Sequence, residues 1–547
     1  MKLKLKLLFL FLVLSLQKDT CVSGGRRPSD PSPPAPVRLD ADLSAPVHRV
    51  DPRFLSVTID ASLASEERFM SLLSSSKIRT LASALSPGFM RFGGTRQDFM
   101  VFRPRRPLDP LQREGPGPGP GPGPGPGPGS CDEADLPWWL EERLKDDWRR
   151  QELVLMKEDL QRKYKRVHFT ERTVDLLHSF TSCSGLDLVF GLNALLRTSD
   201  NSWNSSNALK LIQYCESRRY RTSWELGNEP NSFEKKAGIR VDGNQLGVDF
   251  SHLRRILSDS EFFRDAGLYG PDVGQPRDHH TDLLEGFLQS GAEAVNACTW
   301  HHYYVNGRDT SLDDFLDPDV LDTLALKTKQ VLQTVQQVSP GKSVWLGETS
   351  SAYGGGALGL SDTFVAGFMW LDKLGLAARL GLDVVMRQVF IGSGSYHLVD
   401  NNLDPLPDYW LSVLYKRLVG PEVLNVQEVS GPDKRVRVYL HCTNKKSYRS
   451  GAVTLMSLNL SPTPATVSVP VLASSSVDAF VLESDQPGED GLTSRSVKLN
   501  GDVLKMVDDK TLPDLRGRRL PPHQHLQLPG FSLAFFVHPD AGAAACR

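Results

Sequence analysis

Two short segments carry a carboxylate where an apolar run ends: Trp224-Glu225-Leu226-Gly227-Asn228-Glu229-Pro230 and Val344-Trp345-Leu346-Gly347-Glu348. Two carboxyl groups facing one another across a sugar can cleave a glycosidic bond. One protonates the leaving oxygen, the other attacks the anomeric carbon, and retention of configuration places them about 5 to 5.5 Å apart. On this reading Glu229 is the acid/base and Glu348 the nucleophile. An ionised Glu348 nearby is expected to raise the proton affinity of Glu229 in the free protein. Asn228 can donate its amide to a sugar 2-hydroxyl, a bond that strengthens toward the transition state. Glu225, four residues before Glu229, shares its strand parity and either approaches the site or is buried in an ion pair.

Further polar residues close other apolar segments. In His301-His302-Tyr303-Tyr304 a histidine or tyrosine can orient the nucleophile or bind substrate, whereas adjacent strand side chains point to opposite faces and make a poor metal pair. No HExxH sequence occurs, and the chemistry requires neither metal nor organic cofactor. Gly354-Gly355-Gly356 exposes backbone donors suited to a sugar carboxylate, and Arg387-Gln388 and Tyr396-His397 lie beyond the last apolar segment.

Such groups need a scaffold that brings distant segments to one place. Strand-like runs at 54–60, 89–93, 186–196, 222–226, 268–270, 299–304, 344–347 and 384–389 alternate with helix-compatible stretches, the first marked by Phe69, Leu72 and Leu73. Eight such units predict an α/β fold, a (β/α)8 TIM barrel spanning 51–107 and 162–415 with its chemistry at the carboxyl ends of the strands. An open doubly wound sheet is the competitor, and no Gly-x-Gly-x-x-Gly follows an early strand. An alternating Gly-Pro tract at 115–129 interrupts the pattern, and residues 107–161 read as an insertion that the barrel does not need. From 416 to 547, short runs spaced by Gly, Pro and Asn predict a β-sandwich-like domain.

Lys2, Lys4 and Lys6 followed by an apolar stretch at 7–16 predict a secretory signal peptide over 1–23, too short for a transmembrane span. Secretion agrees with sequons at Asn204 and Asn459, the second weakened by Pro462, and with one or two disulfides among seven cysteines. A net charge of -2 gives no global pull toward nucleic acid or an anionic membrane, so any polyanion binding is local.

From about Pro52 to the C-terminus the chain resembles the heparanase family of endo-β-glucuronidases. The resemblance is carried by residues 223–230, Tyr269-Gly270-Pro271-Asp272-Val273-Gly274-Gln275-Pro276-Arg277, 299–308 and 345–356. It implies the same roles for Glu229 and Glu348. It also implies that Asp60, Thr95, Asn228, Gln275, His301, Tyr303, Gln388 and Tyr396 line the sugar pocket with Gly354 and Gly355. Arg162, Lys163, Lys165, Lys235, Arg277 and Arg308 would meet the anionic substrate, heparan sulfate and its proteoglycans. The resemblance further implies that 36–50 joins the β-domain and that a lysosomal protease excises 108–161, leaving associated light and heavy chains. Disulfides Cys131–Cys183 and Cys442–Cys546 are implied, with Cys215 and Cys298 unpaired, and the protein would be secreted and lysosomal, meeting matrix or cell surface through heparan sulfate. Two departures stand out. Ser62 replaces the family's asparagine, and Asp278, His279, His280 and Asp282 dilute a basic stretch, where histidines charged near pH ~5 restore part of the attraction.

Overall fold

Eight largely buried strands come together as a closed parallel barrel. The computed structural model describes residues 36–104, 131, 135–277, 282–430 and 434–547. The expected signal segment, the Gly-Pro tract and Asp278, His279 and His280 lie outside the described residues. The barrel strands are β1 (Leu55–Asp60), β2 (Gly88–Gly93), β3 (Leu186–Leu192), β4 (Ser223–Leu226), β5 (Tyr269–Val273), β6 (Ala297–Asn306), β7 (Ser343–Tyr353) and β8 (Val384–Ile391). They pair in parallel in the order β4-β3-β2-β1-β8-β7-β6-β5, and a parallel bridge between Trp224 and Leu268 closes the ring. All residues of β1, β2, β5 and β8 are buried, as expected of barrel strands covered by helices. The stretch around Phe69 begins as a 3-10 helix, Glu67–Ser74, before an α-helix, Ser76–Ser83.

Two-residue periodicity stacks side chains in layers along the barrel axis. An apolar plug of Phe89, Val189, Tyr269, Ala297, Trp345, Val384 and Met386 fills one layer, its rings at 4.2 Å (Tyr269–Trp345) and 5.1 Å (Phe89–Trp345). One step further along, Arg91 and Gln388 share the parity of Phe89 and Met386. Strict parity would turn Glu348 away from Trp345's face. The β6/β7 register prevents this: Trp300 pairs with Leu346 and His301 with Glu348, leaving Gly347 as an extra residue. A second irregularity pairs Thr299 with Pro271 and Trp300 with Val273, leaving Asp272 as the extra residue, at φ 55°. Such bulges re-aim a side chain at the cost of local ladder bonds. Glycine is required at 347, because a Cβ there would stand 2.5 Å from Asp272 Oδ1.

Residues 135–161 of the expected insertion pack on the barrel in the uncleaved chain. Trp138–Gln161 is a 24-residue helix whose Leu144, Trp148 and Leu155 are buried, Trp148 meeting the Phe69 ring edge-on at 5.2 Å. In sequence its exposed Trp138, Trp139, Leu153 and Leu160 obscure the inward stripe.

Beyond the helix Pro407–Leu418 the chain enters a sandwich-like sheet. Its strands include Val419–Ser430, Val436–Thr443, Val453–Asn459, Val477–Ser484 and Ser532–His538, enclosing Leu424, Leu440, Leu455 and Phe536. Val37–Asp42 adds antiparallel to Val419–Ser430 and parallel to Ala465–Ser468. The Cys442–Cys546 disulfide ties the C-terminus to this sheet. Cys442→Ser with Cys546→Ser is expected to cost about 2 to 5 kcal/mol, read as a lower unfolding midpoint in urea. An unchanged midpoint would contradict this. Among the described residues no helix is long and apolar enough to cross a membrane.

Candidate active site

Arg91 organises the carboxyl end of the barrel. Its fully buried guanidinium donates through Nε to Glu225 Oε2 (2.6 Å), through Nη1 to Glu348 Oε2 (2.8 Å) and through Nη2 to Asn228 Oδ1 (3.0 Å). A planar fork of fixed donors can hold three groups from three strands or loops at once, which a lysine cannot do. The second oxygen of Glu348 accepts from the Tyr303 hydroxyl at 2.7 Å. Both oxygens of the nucleophile candidate are thus fixed in place by donors from the barrel. Because Arg91 takes the carbonyl of Asn228, the group this residue can offer a substrate is its amide N–H.

Glu229 follows β4 in the left-handed region (φ 52°), its backbone N–H donating to Asp272 O at 3.0 Å. The preceding residue is fixed by Asp98, which accepts from the backbone of Asn228 at 2.9 Å and of Ala194 at 3.1 Å. One oxygen of Glu229 and one of Glu348 lie within 4.8 Å of each other. That separation suits direct attack, whereas inverting pairs stand roughly 6.5 to 9.5 Å apart to admit a water. The Glu229 side chain is 27% exposed against 8% for Glu348, as expected for the group that meets the leaving-group side.

His301 stands between the two carboxylates. Its Nδ1 lies 3.6 Å from Glu229 and 3.9 Å from Glu348, and its Nε2 lies 3.1 Å from Asp272. Burial opposes charge on the ring, but Glu348, Asp272 and Glu229 outweigh it and raise its pKa to about 9. The expected rise in the proton affinity of Glu229 is therefore corrected. Burial acts in that direction, yet Lys236 Nζ at 3.1 Å and His301 together hold Glu229 well below the usual carboxylate range. These directions favour a proton on the His301 ring and an ionised Glu229 in the free protein. Glu229, His301 and Glu348 are the grouping among the described residues that places one ligand atom each within metal-binding reach, and a cation there would have to displace that proton.

Glu225 behaves differently from both. Burial pushes its carboxyl up to about 8, against the opposing pull of Arg91. Folded values of about 8 for Glu225 and about 9 for His301 lie above their ordinary 4.5 and 6.5. Their contribution to stability is therefore complete below those ordinary values and is lost as pH rises through about 8 and 9. Glu225→Gln imitates the protonated carboxyl. It is expected to leave the melting temperature nearly unchanged near pH ~5 and to raise it by a few degrees over the parent near pH ~9. Thermal unfolding at the two pH values tests this, and an equal shift at both would contradict it.

Other residues named from sequence gather around this centre. Asp60, ending β1, accepts from Gln388 of β8 at 2.8 Å, and Tyr396 lies across from Tyr303 with ring centroids 6.2 Å apart. Gln275 accepts from the Tyr303 backbone at 2.9 Å. Thr95 opens the turn after β2, and Gly354 and Gly355 follow β7 with φ of 82° and 93°. The cationic residues are more dispersed. Arg162, Lys163, Lys165, Lys235, Arg277 and Arg308 are exposed, Lys165 pairing with Glu158 at 3.4 Å. Lys236, one residue beyond Lys235, is the lysine that reaches Glu229, and it was missed, as were Arg91, Asp98 and Asp272. An arginine inside an apolar strand at the parity of Phe89 was the available signal for Arg91. His302 turns to the opposite face and meets buried Lys373 (Nδ1 to Nζ 3.3 Å).

The sulfur and glycan positions separate in the same way. Cys131 pairs with Cys183, while Cys215 and Cys298 are buried thiols pushed up to about 12 by burial. Asn204 is exposed. Asn459 is corrected as a glycan site: it is fully buried and its amide donates to Thr463 O (2.9 Å) and Pro529 O (3.0 Å), leaving no nitrogen for a sugar in the folded chain.

Residues 157–375 match the N-terminal domain of glycosyl hydrolase family 79. Heparanase of Gallus gallus is 52% identical over 511 residues, covering 93% of this chain and 96% of its own. The chain belongs to the heparanase family. With its barrel and paired carboxylates it is a retaining glycoside hydrolase. The heparanase family also includes a Homo sapiens relative named inactive heparanase-2, 40% identical over 535 residues and covering 93% of this chain and 90% of its own. A 4-O-α-L-rhamnosyl-β-D-glucuronidase structure from Fusarium oxysporum covers 91% of this chain and 100% of its own at 14% identity and TM-score 0.60, a likeness of fold alone.

Proposed function

We propose that the protein is an endo-β-glucuronidase that cleaves internal glucuronide–glucosamine linkages of heparan sulfate by double displacement. The observation that carries this reading is the approach of Glu229 and Glu348 to within 4.8 Å, with Glu348 held by Arg91 and Tyr303. A Glu348 oxygen attacks the anomeric carbon, the glycosidic C–O bond breaks, and the leaving oxygen takes a proton from Glu229. That proton comes across 3.6 Å from His301 when substrate displaces Lys236 from Glu229 and excludes water, both of which raise the carboxylate's proton affinity. Glu229 then removes a proton from water, which attacks the glycosyl ester and frees Glu348. The chain's own side chains supply each group these steps use.

The likeness to heparanases also supports a secreted and lysosomal enzyme that reaches matrix or cell-surface proteoglycans through heparan sulfate. The same likeness supports excision of about 108–161 by a lysosomal protease, giving associated light and heavy chains. The helix Trp138–Gln161 contacts the loops after β2 and β8, on the side where substrate must approach. The test is to incubate the two-chain protein with size-defined heparan sulfate near pH ~5, where family residence in lysosomes places its work. A fall in chain length to internal fragments is expected. Intact polymer with retained binding would instead make the protein a noncatalytic polysaccharide binder.

A further inference from the structure

The inward face of the helix Trp138–Gln161 is not purely apolar. Glu152, Leu155, Glu158 and Asp159 follow Trp148 at helical spacing, and three of them are acids. Packing alone gives no reason to place carboxylates there. Each of them lies on a donor of the barrel rim. Glu152 accepts from the Gly394 backbone N–H at 3.0 Å and from Asn401 Nδ2 at 2.7 Å. Glu158 and Asp159 stand 3.5 and 3.2 Å from the Arg96 guanidinium, which also donates to Leu155 O at 2.9 Å.

Arg96 is close to the sugar pocket. It follows β2 within the turn Thr95–Phe99 and is buried, and the other groups facing it are the Asp60 carboxyl and the Tyr164 ring, 5.5 Å away. Tyr164 in turn lies within electrostatic reach of Glu229, and Asp159 of Tyr396. Removing 108–161 would take away two carboxylates and a carbonyl from Arg96 at once. Freed of them, the guanidinium at the pocket rim has donors to offer another anion. Planar N–H donors match a sulfate or carboxylate in the geometry that Glu158 and Asp159 now provide.

We infer that Glu152, Glu158 and Asp159 act as stand-ins for substrate anions in the uncleaved chain, and that Arg96 takes a sulfate or uronate of the sulfated polysaccharide once the helix is gone. This rests on the functional reading above. It makes the helix a competitor for specific charges as well as an obstruction, and it makes Arg96 a specificity-determining residue.

The probe is a heparan sulfate hexasaccharide, used with both the uncleaved and the two-chain protein. In the two-chain protein Arg96→Ala is expected to raise KM about tenfold with a much smaller change in kcat, and to weaken the salt dependence of KM. Arg96→Lys should recover part of the loss. In the uncleaved chain Glu152→Gln, Glu158→Gln and Asp159→Asn together should tighten hexasaccharide binding about fivefold or more. After excision this variant and the parent share one sequence, so equal binding then certifies its fold. Unchanged KM and salt dependence in Arg96→Ala, or unchanged binding by the uncleaved triple variant, would overturn the inference. A two-chain protein that binds the hexasaccharide through Arg96 yet cleaves nothing would support it and overturn the reading of activity alone.

Discussion

Glu348→Gln is expected to lose turnover of polymeric heparan sulfate and of an activated aryl glucuronide alike, by about five to six orders of magnitude in kcat. The amide keeps one oxygen that can still accept from Arg91 Nη1, now 2.8 Å from Glu348 Oε2, while its nitrogen can donate to the Tyr303 hydroxyl, now 2.7 Å from Oε1, so the pocket keeps its shape. What it lacks is an anionic oxygen that can form and later release a glycosyl ester. Substrate binding should therefore persist within a few-fold, as measured by hexasaccharide titration. The equal loss on both substrates is the diagnostic part: an aryl leaving group relieves the need for acid assistance but not the need for a nucleophile. Turnover of either substrate near the parent rate would contradict the assignment.

Glu229→Gln divides the two substrates. Cleavage of the polymer, whose leaving sugar needs a proton, should fall by about 10²- to 10⁴-fold in kcat. Formation of the glycosyl-enzyme from the aryl glucuronide should be partly spared, and the hydrolytic second step becomes rate-limiting because no base activates water. An initial burst of phenolate followed by slow turnover is the expected trace. The substitution also removes a negative charge beside Lys236 and His301, which surround Glu229 at 3.1 and 3.6 Å. The pH dependence of the burst should then no longer report the Glu229–His301 proton. Equal losses on both substrates, without a burst, would reject the acid/base role.

The barrel was legible because its strands are short apolar runs punctuated by helical spacing, and all eight expected segments became β1 to β8. Glu229 and Glu348 were legible because each stands where such a run stops. The inward turn of Glu348 was not. Alternation from Trp345 places it on the other face, and the extra residue at Gly347 that corrects this is fixed by pairing with β6, a contact far away in sequence. Asp272 was missed for the same reason. The protonation of Glu229 was misread because the sequence displays its negative neighbour, Glu348, and not the arrangement of Lys236 and His301. Lys235 and Lys236 differ only in the direction a short helix, Phe233–Ala237, gives each. The packing of the helix Trp138–Gln161 on the barrel was not legible, because its outward apolar residues mask the period of its buried face. Asn459 shows the limit of a short motif: the sequon is present, yet the strand Val453–Asn459 buries it.

Glu348 should form a covalent ester with the sugar, while Glu225, 2.6 Å from the same arginine, should not. A fluorinated uronide with an activated leaving group, incubated with the two-chain protein and followed by peptide mass mapping, reads this directly. One adduct is expected, on the peptide carrying Glu348. An adduct on Glu225 would contradict it.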